Sequence, residues 1–223
     1  MTADQFIISL SSSGYTISEM QLRQLERYCV LLQEWNQKMN LTAITEYDEV
    51  MKKHFIDSLS LVKAVDLSKN EFKVIDVGTG AGFPGLVLKI AFPQLHITLL
   101  DSLNKRILFL NEVIQRLGLQ GVEAVHGRAE DFACVSHFKN GKSGKSGEIK
   151  ETLREQFDLC VSRAVANLST LSEYCLPFVK IGGKFISYKS EKLTEEAEAA
   201  EKAITLLGGK VEKQIDFYPN LII

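Results

Sequence analysis

Three glycines at alternate positions, set directly after an apolar run that ends in an acid, constrain this chain more than any other feature. The segment is Val74-Ile75-Asp76-Val77-Gly78-Thr79-Gly80-Ala81-Gly82-Phe83-Pro84-Gly85, and a helix-like pattern follows it. A buried parallel strand feeding a glycine-rich turn and then a helix is how an α/β sheet holds a nucleotide-like ligand. Glycine is required where the backbone must turn tightly and approach the ligand. Dinucleotide-binding turns read G-x-G-x-x-G, with their acid about 20 residues later. Here Gly78, Gly80 and Gly82 give G-x-G-x-G, and Asp76 stands two residues before the first glycine. A carboxylate there repels a pyrophosphate but suits the ammonium and sulfonium of S-adenosylmethionine. Asp101 ends the next apolar run, His96-Ile97-Thr98-Leu99-Leu100-Asp101, where it is placed to accept from both ribose hydroxyls. The two acids and the turn favour an S-adenosylmethionine-dependent methyltransferase over NAD binding or a purely structural glycine turn.

A length of 223 residues suits one α/β domain with a small extension. The formal charge of −2 advertises no global basic field for a nucleic acid, although a local basic face would be hidden in the sum. No apolar run approaches the length of a membrane span, and Met1-Thr2-Ala3-Asp4-Gln5 lacks the basic start of a signal peptide. Cys29, Cys134, Cys160 and Cys175 have no C-x-x-C spacing, so neither zinc nor a disulfide framework is expected. A reduced cytoplasm is the expected location.

The first 67 residues read as a helical cap in front of a sheet domain spanning 68–223, the two packed as one unit. Ser18 and Gln21 make a capping-box pair, and Leu22, Leu25, Tyr28, Leu32, Trp35 and Met39 follow at helical spacing. Asn40-Leu41-Thr42 breaks this pattern, which resumes from about Asp48 to Val65. Strands are expected at Phe72–Val77, His96–Leu100, Val122–Val125, Phe157–Ser162, Lys184–Tyr188 and Lys210–Phe217. Helices are expected at Pro84–Ala91, Leu103–Leu117, Leu168–Val179 and Thr194–Leu207, the last stopped by Gly208-Gly209. Alternating βα units imply a parallel sheet with right-handed crossovers and a ligand at the carboxyl ends of the strands. Asp76, Asp101, Gly127–Glu130 and Ser162-Arg163 all fall at such ends. The stretch 139–147 is a flexible basic insertion; its Gly144-Lys145-Ser146 lacks the upstream glycine and the strand that a phosphate loop needs.

Several segments together carry a family resemblance: Asn40-Leu41-Thr42-Ala43-Ile44, His54-Phe55-Ile56-Asp57-Ser58-Leu59, the turn with Gly82-Phe83-Pro84-Gly85, Arg128-Ala129-Glu130, and Ser162-Arg163-Ala164-Val165-Ala166. From about Leu25 to Gly209 the chain resembles the bacterial small-subunit ribosomal RNA guanine-N7 methyltransferases, once called glucose-inhibited division protein B. The resemblance implies a class I methyltransferase fold, Rossmann-like with a mostly parallel sheet, carrying an N-terminal helical extension. It implies S-adenosylmethionine as cofactor and methyl transfer to N7 of a guanine in the decoding-region loop of 16S rRNA, at nucleotide 527. By position it puts Gly78 and Phe83 along the cofactor, Ala129 and Glu130 at its adenine, and Arg163 beside the methionine end or the target base. The glycine turn alone would indicate only the broader class.

Each candidate also has a plainer reading. Asp76 and Asp101 also fit strand-end acids that cap the next helix, and Glu130 fits a first-turn acid favoured by the helix dipole. Arg163 follows a buried strand, where an unpaired guanidinium is costly. It serves either RNA phosphate, target base or cofactor carboxylate, or a structural salt bridge. His54 and Asp57 lie three apart on one helix face. They read as a packing pair or, by the resemblance, as residues that shape the RNA or cofactor pocket. Lys189 reads equally as an RNA contact and as a solvated lysine.

Members of the resembled family continue into another strand and a basic tail, whereas this sequence stops at Phe217-Tyr218-Pro219-Asn220-Leu221-Ile222-Ile223. Leu221–Ile223 is therefore expected to start a strand lying antiparallel between its neighbours, cut short. The expected partner is 16S rRNA or the small ribosomal subunit, with the chain a monomer. The competing expectations are a methyltransferase of this fold acting on another RNA, a small molecule or a protein, and a non-catalytic module that senses the cofactor or a ribosomal particle.

Overall fold

The computed structural model describes residues 16–68, 70–134, 152–163, 166–189, 193–215 and 220–222. The basic insertion at 139–147, two residues of the Ser162–Ala166 segment and the last two residues of the expected strand Lys210–Phe217 lie outside the described residues. The first helix, α1 (Glu19–Met39), opens on the expected capping box: Gln21 N–H donates to the Ser18 hydroxyl at 3.2 Å, and Ser18 N–H donates to the Gln21 side chain at 2.9 Å. It closes at Asn40, whose φ of 48° is left-handed. The resumed helical stretch is not one helix but four pieces: α2 (Tyr47–Val50), a π-helical turn (Met51–Ile56), α3 (Asp57–Leu59) and a 3₁₀ turn (Ser60–Lys63).

Beyond it the βα alternation is as expected. The elements are β1 (Lys73–Val77), α4 (Gly85–Ala91), β2 (His96–Asp101), α5 (Asn104–Leu117), β3 (Val122–His126), α6 (Ala129–Ala133), β4 (Phe157–Arg163), α7 (Leu168–Cys175), β5 (Val179–Lys189), α8 (Leu193–Leu206), β6 (Gln214–Ile215) and β7 (Asn220–Ile222). The sheet order is β3-β2-β1-β4-β5-β7-β6, parallel from β3 through β5. The last strand, β7, runs antiparallel between β5 and β6, as expected of the chain's final residues. The order reverses at β1, with β2 on one side and β4 on the other, which opens a crevice at the carboxyl edge.

Three boundaries differ by four or five residues from the sequence reading, one of them the strand expected from Lys210, which begins only at Gln214. The helix from Leu168 stops at Cys175, and Pro177 lies in a short 3₁₀ turn that hands the chain to β5. Strand β5 then starts five residues earlier than expected, at Val179, because the ladder tolerates a register shift between Phe157 and Leu159.

The cap and the sheet share one core. Leu25, Tyr28, Leu32, Met51 and Phe55 from the cap cluster with Val74, Leu86, Phe109 and Tyr188, all buried. Polar side chains of α1 add direction to this contact. Gln21 donates to the carbonyls of Ile90 and Ala91 at 2.9 and 2.7 Å, and Gln24 donates to the carbonyl of Leu117 at 3.1 Å. These carbonyls end α4 and α5 and have no partner inside their own helices.

Candidate functional site

The glycine turn is built from below. Asp76 sits at the end of β1, 0% exposed. Its Oδ2 accepts from the Thr79 hydroxyl at 2.7 Å and from Gly85 N–H at 2.8 Å, while Oδ1 has no partner among the described residues. Burial pushes its carboxyl up to about 6, against the pull of those two donors. Gly80 adopts φ +61° and aims its N–H at Asp101 Oδ2, 2.9 Å away. Gly82, at φ +100°, packs so close that a Cβ would stand 2.6 Å from the Tyr28 hydroxyl. That hydroxyl donates to the carbonyl of Ala81, so the cap helix fastens the crown of the turn.

Asp101 is 2% exposed and holds the end of β2. Its Oδ1 accepts from Leu103 N–H at 2.9 Å, and its Oδ2 is shared between Gly80 N–H and Arg106 Nη1, the latter at 3.0 Å. Parallel pairing sets Asp101 opposite His126, so the Gly127–Glu130 loop emerges beside it. Ala129 is buried there, and Glu130 is exposed in the first turn of α6.

The other wall comes from the cap. Arg163 ends β4 and reaches the π-helical turn and the start of α3: Nη1 donates to the Lys53 carbonyl at 3.3 Å and to Asp57 Oδ2 at 2.7 Å. Its Nη2 lies 3.1 Å from His54 Nδ1, and its guanidinium carbon lies 5.1 Å from the centre of the Phe83 ring. His54 stacks on the same ring at 4.4 Å, and its Nε2 lies 3.1 Å from the Thr42 hydroxyl. Burial, with the Arg163 cation second, pushes His54 down to about 4, so it is neutral at physiological pH. Burial also raises the Asp57 carboxyl above the usual range, although Arg163 opposes this.

These elements enclose a pocket of about 540 Å³. His54, Gly78, Gly80, Phe83, Asp101, Ala129, Glu130 and Arg163 line it. Asp57, Asp76 and Gly82 stand behind that lining and act on it through Arg163, the turn and Tyr28 respectively. Of the two readings of Arg163, the salt bridge is present, and the same side chain also faces the pocket. Sequence reading passed over Thr42, Thr79, Arg106 and Tyr174 as lining residues, and Tyr28 as a brace. Tyr28 carried a signal: a tyrosine on a leucine-rich face buries a hydroxyl that must find a partner. Among the described residues no cluster of three or more His, Cys, Asp or Glu side chains is placed to hold a metal ion, and no helix is long and apolar enough to cross a membrane.

Comparison with solved structures shows the fold. A SAM-dependent methyltransferase from Aquifex aeolicus matches with a TM-score of 0.51 at 18% identity, over 79% of this chain and 90% of that one. A ribosomal protein L11 methylase from Lactobacillus delbrueckii subsp. bulgaricus matches with a TM-score of 0.51 at 14% identity, over 80% of this chain and 78% of that one. The fold is thus the class I S-adenosylmethionine-dependent methyltransferase fold, with an N-terminal helical extension. Sequence comparison is closer. The ribosomal RNA small subunit methyltransferase G of Lachnoclostridium phytofermentans is 53% identical over 212 residues, 95% of this chain and 81% of that protein. The protein of the same name from Alkaliphilus metalliredigens is 55% identical over 201 residues, 90% of this chain and 77% of that protein. The family model described as rRNA small subunit methyltransferase G matches residues 21–219, a span that begins in the cap and covers every element lining the pocket. This chain belongs to the rRNA small subunit methyltransferase G family.

Proposed function

We propose that this chain transfers the methyl group of S-adenosylmethionine to N7 of a guanine in the decoding-region loop of 16S rRNA, acting on the RNA or on the small ribosomal subunit. The supporting observation is the convergence of the glycine turn, the β2 acid Asp101 and the cap wall of His54 and Arg163 on one pocket, in a chain of this family. The pocket suits the cofactor. Asp101 would offer a carboxylate edge to the ribose hydroxyls, and Ala129 and Glu130 would flank the adenine. Gly78, Gly80 and Phe83 give the close backbone and apolar contact that the cofactor body needs. Asp76, buried with one oxygen unpartnered among the described residues, adds negative charge beneath the turn, where a cationic ligand end is favoured.

The cofactor supplies an electrophilic methyl on a sulfonium. The residues of the chain bind, orient and exclude water. Guanine N7 presents a lone pair and carries no proton, so attack needs no base. The site agrees with this: both nitrogens of His54 are engaged, and its ring is held neutral. Holding nucleophile and methyl in line removes several kcal/mol of barrier. The purine gains positive charge as it reacts. Asp57 offsets the charge of Arg163, so no unbalanced cation opposes that gain.

The test is transfer of label from S-adenosylmethionine to small ribosomal subunits lacking the modification, followed by nucleoside analysis. Label in 7-methylguanosine is the expected result. Label in any other nucleoside, or none beside a reacting control of a curated relative, overturns the reading. A calorimetric titration checks the cofactor separately, and no heat at millimolar S-adenosylmethionine would sink it.

A further inference from the structure

We propose that the Thr42 hydroxyl donates a hydrogen bond to O6 of the target guanine and so selects guanine over adenine; this rests on the guanine-N7 reading above.

The polarity of the cap wall is fixed from one end. A guanidinium only donates, so at the 3.1 Å contact with Arg163 Nη2 the Nδ1 of His54 is the acceptor. The ring proton of a neutral histidine then sits on Nε2, and it donates across 3.1 Å to Thr42 Oγ1. Ile44 N–H donates to the same oxygen, also at 3.1 Å. A hydroxyl has two lone pairs and one hydrogen. Both lone pairs of Thr42 are taken, and its hydrogen has no acceptor among the described residues. Thr42 lines the pocket. The chain of bonds Arg163–His54–Thr42 therefore presents an obligate donor to whatever binds, and it cannot reverse to accept.

Guanine carries the acceptor O6 beside N7, whereas adenine carries an amino donor at that place. An adenine would set donor against donor. The arrangement also suits the chemistry, because the donor is neutral and adds no positive charge beside a purine that becomes cationic. A carboxylate of the cofactor would accept as well, so the test must separate the two.

The variants Thr42→Val and Thr42→Ser are compared on small subunits lacking the modification, with S-adenosylmethionine affinity measured by calorimetry. A second substrate carries 2-aminopurine in place of the target guanine, keeping N7 and losing O6. T42V is expected to lower kcat/KM on guanine by about ten-fold or more, to leave cofactor affinity unchanged, and to be rescued by T42S. The wild-type protein is expected to lose a similar factor on 2-aminopurine, where T42V costs nothing further, the signature of a shared interaction. Wild-type kcat/KM for T42V on guanine, or an equal T42V loss on both bases, overturns the proposal. A fall in cofactor affinity matching the fall in transfer also overturns it and assigns the donor to the cofactor. Wild-type label outside 7-methylguanosine overturns the guanine-N7 reading itself, and this inference with it.

Discussion

Two buried acids support the pocket from opposite sides, and they are stabilised in different ways. Among the described residues Asp76, under the glycine turn, accepts hydrogen bonds from two neutral donors, the Thr79 hydroxyl and Gly85 N–H, and its Oδ1 has no hydrogen-bond partner. Asp57, behind the cap wall, faces the Arg163 guanidinium at 2.7 Å. Dipoles alone leave a buried carboxyl free to take up a proton near neutral pH, and Asp76 is indeed pushed up to about 6. A cation at contact distance instead ties the acid to its partner, so that each group depends on the other staying in place. The turn side of the pocket is thus sensitive to pH, and the cap side is sensitive to substitution.

The largest expected effect tests the cap side. Arg163→Met leaves the Asp57 carboxylate buried without its cation, and urea denaturation should show a loss of about 3 kcal/mol or more. Adding Asp57→Leu should recover most of that loss. A double variant no more stable than R163M would show that the pair does not hold this wall together.

The next effect belongs to the turn side. The unfolded Asp76 carboxyl ionises near 3.8 and the folded one near 6, so the folded chain holds the proton more tightly. Wild-type stability relative to Asp76→Asn should therefore be greatest below 3.8 and fall as pH rises to about 6, and it should be level above that. The steepest fall is up to roughly 1.4 kcal/mol per pH unit. A flat difference across this window would remove the contrast between the two acids.

The smallest effect joins the two sides. Tyr28 lies in the cap helix but donates to Ala81 in the turn. Tyr28→Phe keeps the stacking on Phe83 and loses the hydroxyl, so unfolding should cost about 1 kcal/mol less. Cofactor affinity, read by calorimetry, should fall with it. Unchanged affinity would show that the turn holds its shape without the cap.

The turn side was far more legible in the sequence than the cap side. Gly78-Thr79-Gly80-Ala81-Gly82 and its flanking acids are contiguous or one strand apart, so local chemistry determines them. The capping box at Ser18 and Gln21 was legible for the same reason. The cap wall joins His54 to a residue 109 positions away, and no periodicity reports a pairing of that kind. The π-helical turn at Met51–Ile56 escaped because its register differs from an α-helix by one residue per turn, and a six-residue stretch cannot show that in its apolar pattern. Helix α6, at five residues, is too short to carry a periodic signal. Strand β5 was read short because Gly182-Gly183 breaks its apolar run, although the strand passes through both.

The contacts of α1 also bear on the order in which the molecule is made. This helix leaves the ribosome before every strand of the sheet, yet the carbonyls that Gln21 and Gln24 satisfy lie 69 to 93 residues downstream. Until Leu117 has been synthesised, the core around its leucines is incomplete and Gln24 has no carbonyl to cap. The element that is translated early is thus seated late. A chain that stalls before α5 would carry an exposed apolar helix, a natural handle for a chaperone or a protease.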